Sequence, residues 1–181
     1  ILPKDFAQNH YIDHQMISPT DNDLMQINFT PKNVYGEEAP QRMWLLEPSS
    51  GKYRPLYKHK RKWFRKERVG HECWLSTGKH LSFVVRRDKV KICDLGGGLE
   101  GELGSETSWI VAQGPNFWHA SASPSRKWLV SDTMWEDTGL WLVKLHGPWS
   151  KPKQEFSQEE MTHLCFTKSM WQKTIQMEIN E

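Results

Sequence analysis

An all-β fold built from repeated sheets is the class this sequence predicts, and three observations carry the prediction. The first is a short pattern opened by histidine that occurs four times: His14-Gln-Met-Ile-Ser18, His71-Glu-Cys-Trp-Leu75, His119-Ala-Ser-Ala-Ser123 and His163-Leu-Cys-Phe-Thr167. The starts lie 57, 48 and 44 residues apart, close to the roughly 40–50-residue period of β-propeller blades. The second is the apolar run that follows each copy: Leu24–Ile27, Leu81–Val85, Trp128–Val130 and Lys173–Met177. The third is the near absence of helical periodicity; Gln158–Thr162 has a trace of it but is too short to matter.

Each element follows from local chemistry. Residues 41–47 alternate and end at Pro48-Ser-Ser-Gly51, a turn leading into 53–57, which predicts a hairpin. Leu81–Val85 and Val90–Cys93 flank the polar Arg86-Arg-Asp-Lys89 and predict a second; Trp128–Asp132 and Leu140–Leu145 predict a third. Gly96-Gly97-Gly98 through Gly104 reads as a loop between repeats, because it lacks the strand-to-helix setting of a phosphate-binding loop. The whole chain, 1–181, reads as one domain: about three and a half blades of a propeller, with no linker long enough to divide it. In such an array equivalent positions of successive blades face one axis, so histidines in one register can place several imidazoles around it. The bland alternative is that two or three of them merely cap strands.

Composition narrows the class. Ten tryptophans and 12% aromatic residues suit sheets that fill their mutual contacts with large rings. A net charge of +2 excludes a general polycation. Three cysteines, Cys73, Cys93 and Cys165, make no even disulfide framework and suit a reducing, cytoplasmic compartment. No apolar run approaches the roughly 18 residues of a membrane span. The chain begins at Ile1 without a signal-like stretch, which reads as a piece whose N-terminal blades lie outside it. An incomplete propeller leaves terminal blades unpaired, so self-association is expected.

Lys58-His-Lys-Arg-Lys-Trp-Phe-Arg-Lys-Glu-Arg68 is the other conspicuous segment. Eight of its eleven residues are Lys, Arg or His, with two rings between them, and it runs straight into the His71 copy. Such a segment suits an anionic sugar chain or nucleic acid; a solvated loop tip is the plain alternative.

Around the histidines the chain resembles the oligogalacturonate lyases, seven-bladed propellers that degrade short pectin fragments. Asn9-His-Tyr-Ile-Asp-His14 is similar to the segment that ends in that family's catalytic histidine. Gln41-Arg42-Met43-Trp44-Leu45 is similar to its Arg-(Ile/Met)-Trp strand, and Gly70-His71-Glu72-Cys73-Trp74 to its His-Glu-Phe-Trp element. Thr162-His163 falls where the family has a Gln-x-x-His-x-His cluster. The resemblance implies metal-assisted β-elimination on acidic oligosaccharides, with His14 as the base and His71, Glu160, His163 and Cys165 at the metal positions. The metal implied is Mn²⁺, with Zn²⁺ the alternative that a Cys165 thiolate favours. Glu160 replaces the family's Gln, Cys165 its last His, and Asn28-Phe29-Thr30-Pro31 its His-Glu-Gly-Pro. These departures set a second expectation beside the lyase: a non-catalytic propeller that binds an acidic glycan or a protein. A nucleic-acid module is the third and rests on 58–68 alone. His119 shares the repeat register, but the resemblance gives it no role; His59, His80 and His146 read as solvent-exposed, and His10 forms no helical pair with His14.

Overall fold

The structure is a computed structural model. It describes residues 10–31, 42–57, 61–62, 65–66, 68–86, 89–95, 108–114, 116–133, 139–145 and 161–164; at 10–11, 30–31, 61–62, 65–66, 86 and 161–164 it describes the backbone alone. All regular structure among these residues is strand. The first sheet is a four-stranded antiparallel meander of β1 (His10–Ile17), β2 (Met25–Pro31), β3 (Met43–Glu47) and β4 (Lys52–Pro55). A two-stranded hairpin, β5 (Arg61–Lys62) and β6 (Arg65–Lys66), leads to the second sheet: β7 (Arg68–Trp74), β8 (His80–Arg86), β9 (Lys89–Asp94) and β10 (Ser108–Gln113). The third holds β11 (Phe117–Ala122), β12 (Trp128–Thr133), β13 (Leu140–Lys144) and β14 (Met161–Leu164).

The second sheet lies between the other two, and strand periodicity shows how. Side chains alternate faces along a strand. On β8, Leu81, Phe83 and Val85 enter a core with Met43, Leu45, Leu56 and Tyr57 of the first sheet and its exit. Val84 enters the other core, with Phe117, Ala120, Leu129 and Val143 of the third sheet. β9 divides the same way, Val90 and Ile92 to one side and Cys93 to the other. A strand buried on both faces needs a continuous apolar run, which is what Leu81–Val85 supplies. On β12, a boundary strand, only Leu129 of the first three residues is buried; Trp128 and Val130 are exposed. Ile12 and Ile17 of β1 are exposed on the first sheet.

The repeated turns hold neighbouring sheets together. The Thr20 hydroxyl donates to the Thr77 carbonyl, and the Ser76 hydroxyl to the Pro124 carbonyl at 2.8 Å, so each turn rests on the next. Gly78 has φ +61°, and a Cβ there would stand 1.8 Å from Thr20 Oγ1. Both the backbone conformation and the close approach therefore require glycine. Trp74 adds a third link, donating from Nε1 to the Met16 carbonyl at 3.1 Å.

The three predicted hairpins form as β3–β4, β8–β9 and β12–β13. Three of the four histidine copies open a sheet: His14 lies on β1, His71 on β7 and His119 on β11. The fourth does not. His163 lies on β14, the last strand of the third sheet, paired through Trp141 to β13. An open β13 edge needs a fourth partner, and Met161–Leu164 fills that place instead of starting a new sheet. The 161–162 part of the trace of helical period is accordingly strand. The glycine-rich loop 96–104 and the 173–177 run lie outside the described residues. No helix among the described residues is long and apolar enough to cross a membrane.

Candidate functional site

In each sheet the first strand breaks register at its histidine. The shifts fall between Asp13 and Met16, between Gly70 and Cys73, and between Phe117 and Ala120. A bulge of this kind bends the strand and re-aims one side chain. At His14 and His71 the backbone is left-handed, with φ 51° and 57°. Non-glycine residues in that region cost on the order of 1–3 kcal/mol each, and such strain concentrates at functional sites. The third bulge is built differently: Asn116 takes the positive φ, 38°, three residues before His119.

The bulges bring the three rings together. The centroids of His14 and His71 are 6.1 Å apart, and those of His71 and His119 are 4.5 Å apart, both pairs edge to face. Trp118 covers His71 at 4.3 Å. His14 and His119 are exposed, while His71, between them, is half-buried. The result is a row of imidazoles from three successive sheets, open on one side and walled by indole.

The His119 ring and the bulges at His14 and His71 are held from behind. Asp132 of β12 accepts from the His119 backbone N–H at 2.6 Å and meets His119 Nδ1 at 2.8 Å. With Nδ1–H donating to the carboxylate, the Nε2 lone pair of His119 faces outward. His14 and His71 are braced by a chain of polar groups between the first two sheets. Gln26 donates to Asn28 Oδ1 at 2.5 Å, and Asn28 donates to Glu72 Oε2 at 2.6 Å. Arg42 Nε reaches Glu72 Oε1 at 3.4 Å, and Arg42 Nη2 reaches Asp13 Oδ1 at 3.3 Å. Asp13 directly precedes His14 and Glu72 directly follows His71, so one guanidinium ties both bulges. The Glu72 side chain is fully buried, and its ion pair and amide offset the cost of burying it.

Sequence reasoning placed His14, His71 and His119 in one register and passed over the groups that support them. Asn28 counts in the sequence only as a departure from the resembled family's His-Glu-Gly-Pro; in the fold it is the buried amide that donates to Glu72. Asp132 and Trp118 carry no motif, and His119 lacked a role. His80 is not solvent-exposed as expected: its ring is largely buried, Nδ1 lies 3.0 Å from Thr77 Oγ1, and burial lowers its pKa below 6.5 against the opposing pull of Asp94. Of the implied metal positions, Glu160 and Cys165 lie outside the described residues. The His163 backbone is on β14, three strand spacings, or roughly 14 Å, from β11. Among the described residues no group of three or more His, Cys, Asp or Glu side chains is arranged to hold a metal ion. Cys93 is sealed in the core, which pushes its thiol up to about 12 and makes it unreactive at neutral pH.

No protein-family model matches the chain, and no curated protein matches it in sequence. A solved structure described as oligogalacturonate lyase in complex with manganese superposes with a TM-score of 0.56 at 18% identity. The match covers 74% of this chain and 34% of that one, so this chain spans only part of that protein's length. At that identity the likeness shows a shared fold: successive four-stranded antiparallel meanders, packed sheet on sheet.

Proposed function

We propose that the three sheets are consecutive blades of a propeller and that the imidazole row is a site for β-elimination on a uronate oligosaccharide. The convergence of His14, His71 and His119 on one open face, at backbone strained in two of the three, is the observation that carries this reading. A uronate carries a weakly acidic proton on the carbon beside its carboxylate. A neutral His14 accepts that proton, the carbon–oxygen bond one carbon further along breaks, a carbon–carbon double bond forms, and the departing sugar oxygen takes up a proton. His14 suits the task because it is exposed and its bulge is fixed through Asp13 and Arg42.

A divalent ion is part of the reading. His71 and His119 would hold it: their rings adjoin, and Asp132 leaves the His119 Nε2 lone pair available, as metal-ligating histidines require. Bound there, it would supply Lewis-acid stabilisation to the carboxylate as charge develops. Two imidazoles leave positions for the substrate's own oxygens. His163 does not enter this reading, because its strand is the fourth of its sheet.

The test is the ultraviolet absorbance of the conjugated unsaturated product, from oligogalacturonates with Mn²⁺ or Zn²⁺. His14→Ala is expected to abolish product and leave Mn²⁺ binding nearly unchanged, while His71→Ala loses both. Equal loss of metal binding in the two variants would reverse the roles. Oligogalacturonate binding without product for any divalent ion would favour the second reading, a non-catalytic acidic-glycan binder.

A further inference from the structure

The exposed large hydrophobic side chains among the described residues are Ile12, Ile17, Trp128 and Val130, and all four lie on the two outer faces of the stacked sheets. Ile12 and Ile17 of β1 stand opposite Phe29 and Met25 of β2. Opposed residues share a face, and Phe29 and Met25 alternate with Asn28 and Gln26, whose face meets Glu72 of the second sheet. Ile12 and Ile17 therefore face away from the second sheet. Trp128 and Val130 of β12 alternate with Leu129, which packs against the second sheet. They too face away from it, with Leu142 of β13 opposite Val130.

The turns align the three sheets residue by residue. Ser18, Leu75 and Ser123 each donate a backbone N–H across the turn, to the carbonyls of Leu24, His80 and Trp128. Ile17, Trp74 and Ala122 thus hold one place in the three sheets, and Gln26, Ser82 and Val130 hold another. In the second sheet both places meet a neighbour. Trp74 Nε1 donates to the Met16 carbonyl of the first sheet at 3.1 Å, and the fully buried Ser82 donates to the Ala120 carbonyl of the third at 3.2 Å. At the two ends of the stack the same places are open: Ile17 is 60% exposed and Val130 39%. The outer face of the third sheet is thus the half of the contact that the second sheet turns to the third. The outer face of the first is the half that the second turns to the first.

We propose that a second copy of this chain docks head to tail, the third sheet of one copy on the first sheet of the other. The pair repeats between copies the sheet-on-sheet contact that each chain already makes twice within itself. Ile27 and Phe29, on the inner strand β2, are already buried, so the second copy meets the first sheet along β1, where Ile12 and Ile17 are open. A contact between unlike faces is heterologous, and repeated in two copies it closes a ring. Six sheets fall within the roughly four to eight of propeller folds. His14 and His119 lie on β1 and β11, the first strands of the two sheets that meet, so the imidazole row continues from one copy into the other. The inference rests on the packing of the sheets and stands whether or not the row is a lyase site.

Sedimentation equilibrium of the full chain over about a hundredfold range of concentration tests it. The expected species is a dimer, at twice the 21.3 kDa chain mass. Val130→Glu and, separately, Ile17→Glu should each weaken association about tenfold or more, because the contact would bury a carboxylate without a partner. Both positions are exposed, so circular dichroism should be unchanged; Trp128→Ser and Ile12→Ser on the same faces serve if either glutamate variant unfolds. The decisive arm mixes the two variants. Each retains the face that the other has lost, so the mixture should associate more tightly than either variant alone. A monomer throughout the range overturns the proposal, as does a dimer that both variants leave intact. Loss with Val130→Glu but not with Ile17→Glu means that two third sheets meet face to face, which also overturns it.

Discussion

The second sheet meets its two neighbours through seams of different chemistry. Against the third sheet the contact is apolar: Val84, Val90 and Ile92 pack on Phe117, Ala120, Leu129 and Val143. Polar contacts flank it, such as the Ser82 hydroxyl donating to the Ala120 carbonyl at 3.2 Å and the Cys73 thiol beside the Ser121 hydroxyl. Against the first sheet an apolar core of Met43, Leu45, Leu81 and Phe83 is joined by the Gln26–Asn28–Glu72–Arg42–Asp13 chain. Apolar packing is non-directional; it holds two sheets together but tolerates small slips between them. A hydrogen-bonded ion pair fixes direction. The polar seam lies where two left-handed histidines must keep a set separation, and the apolar seam lies where His119 is instead fixed within its own sheet by Asp132.

The contrast can be broken at either seam. Phe117→Ala should cost the most, about 4 kcal/mol for an emptied aromatic site, read from urea unfolding. It should leave the NMR resonances of His14 in place. If those shift as much as those of His119, the seams do not act separately. Glu72→Ala is expected to cost about 3 kcal/mol, because Arg42 and Asn28 lose a buried partner. Here the His14 and His71 resonances should move and broaden. A variant as stable as the original would mean that the chain of polar groups contributes nothing.

Asp132→Asn sharpens the other side. The His119–Asp132 pair is partly exposed, so stability should change by less than about 1 kcal/mol. On the proposed function, Mn²⁺ affinity should nonetheless fall about tenfold, since an amide no longer fixes the imidazole tautomer. Unchanged affinity in a titration would remove His119 from the metal reading.

The smallest expected effect is one of pH. Burial holds His80 below its ordinary 6.5 in the folded chain, with Asp94 opposing and Arg126 and Lys79 adding to the shift. The unfolded chain therefore takes up that proton first. The stability His80 contributes is present above about pH 6.5 and is lost as pH falls through the lower folded value. His80→Gln should shrink the drop in Tm between pH 7.5 and pH 5; an unaltered drop would place the acid sensitivity elsewhere.

Much of the scaffold was legible from residue order alone. The period-2 alternation, the Leu81–Val85 run and the Pro48–Gly51 turn dictate local strand and hairpin geometry, and local geometry depends on near neighbours. The repeat also aligned His14, His71 and His119, because a turn four residues after each histidine sets the same strand end three times over. His163 carried the same short pattern without that outcome. Whether a strand opens a sheet or closes one depends on which edge is vacant when it docks, and a four-residue pattern does not encode that. The supports of the site were not legible for a related reason. Asn28 and Glu72 are 44 residues apart and on different sheets, and Asp132 meets His119 only across a strand pair. Asn28 reads in the sequence only as a departure from a family pattern, because its value depends on a carboxylate that tertiary folding buries beside it. The sequence by itself settled which residues form strands and which histidines share a register. Tertiary packing alone decided which of them converge and what holds them there, since burial and charge pairing are properties of surfaces that meet, not of segments.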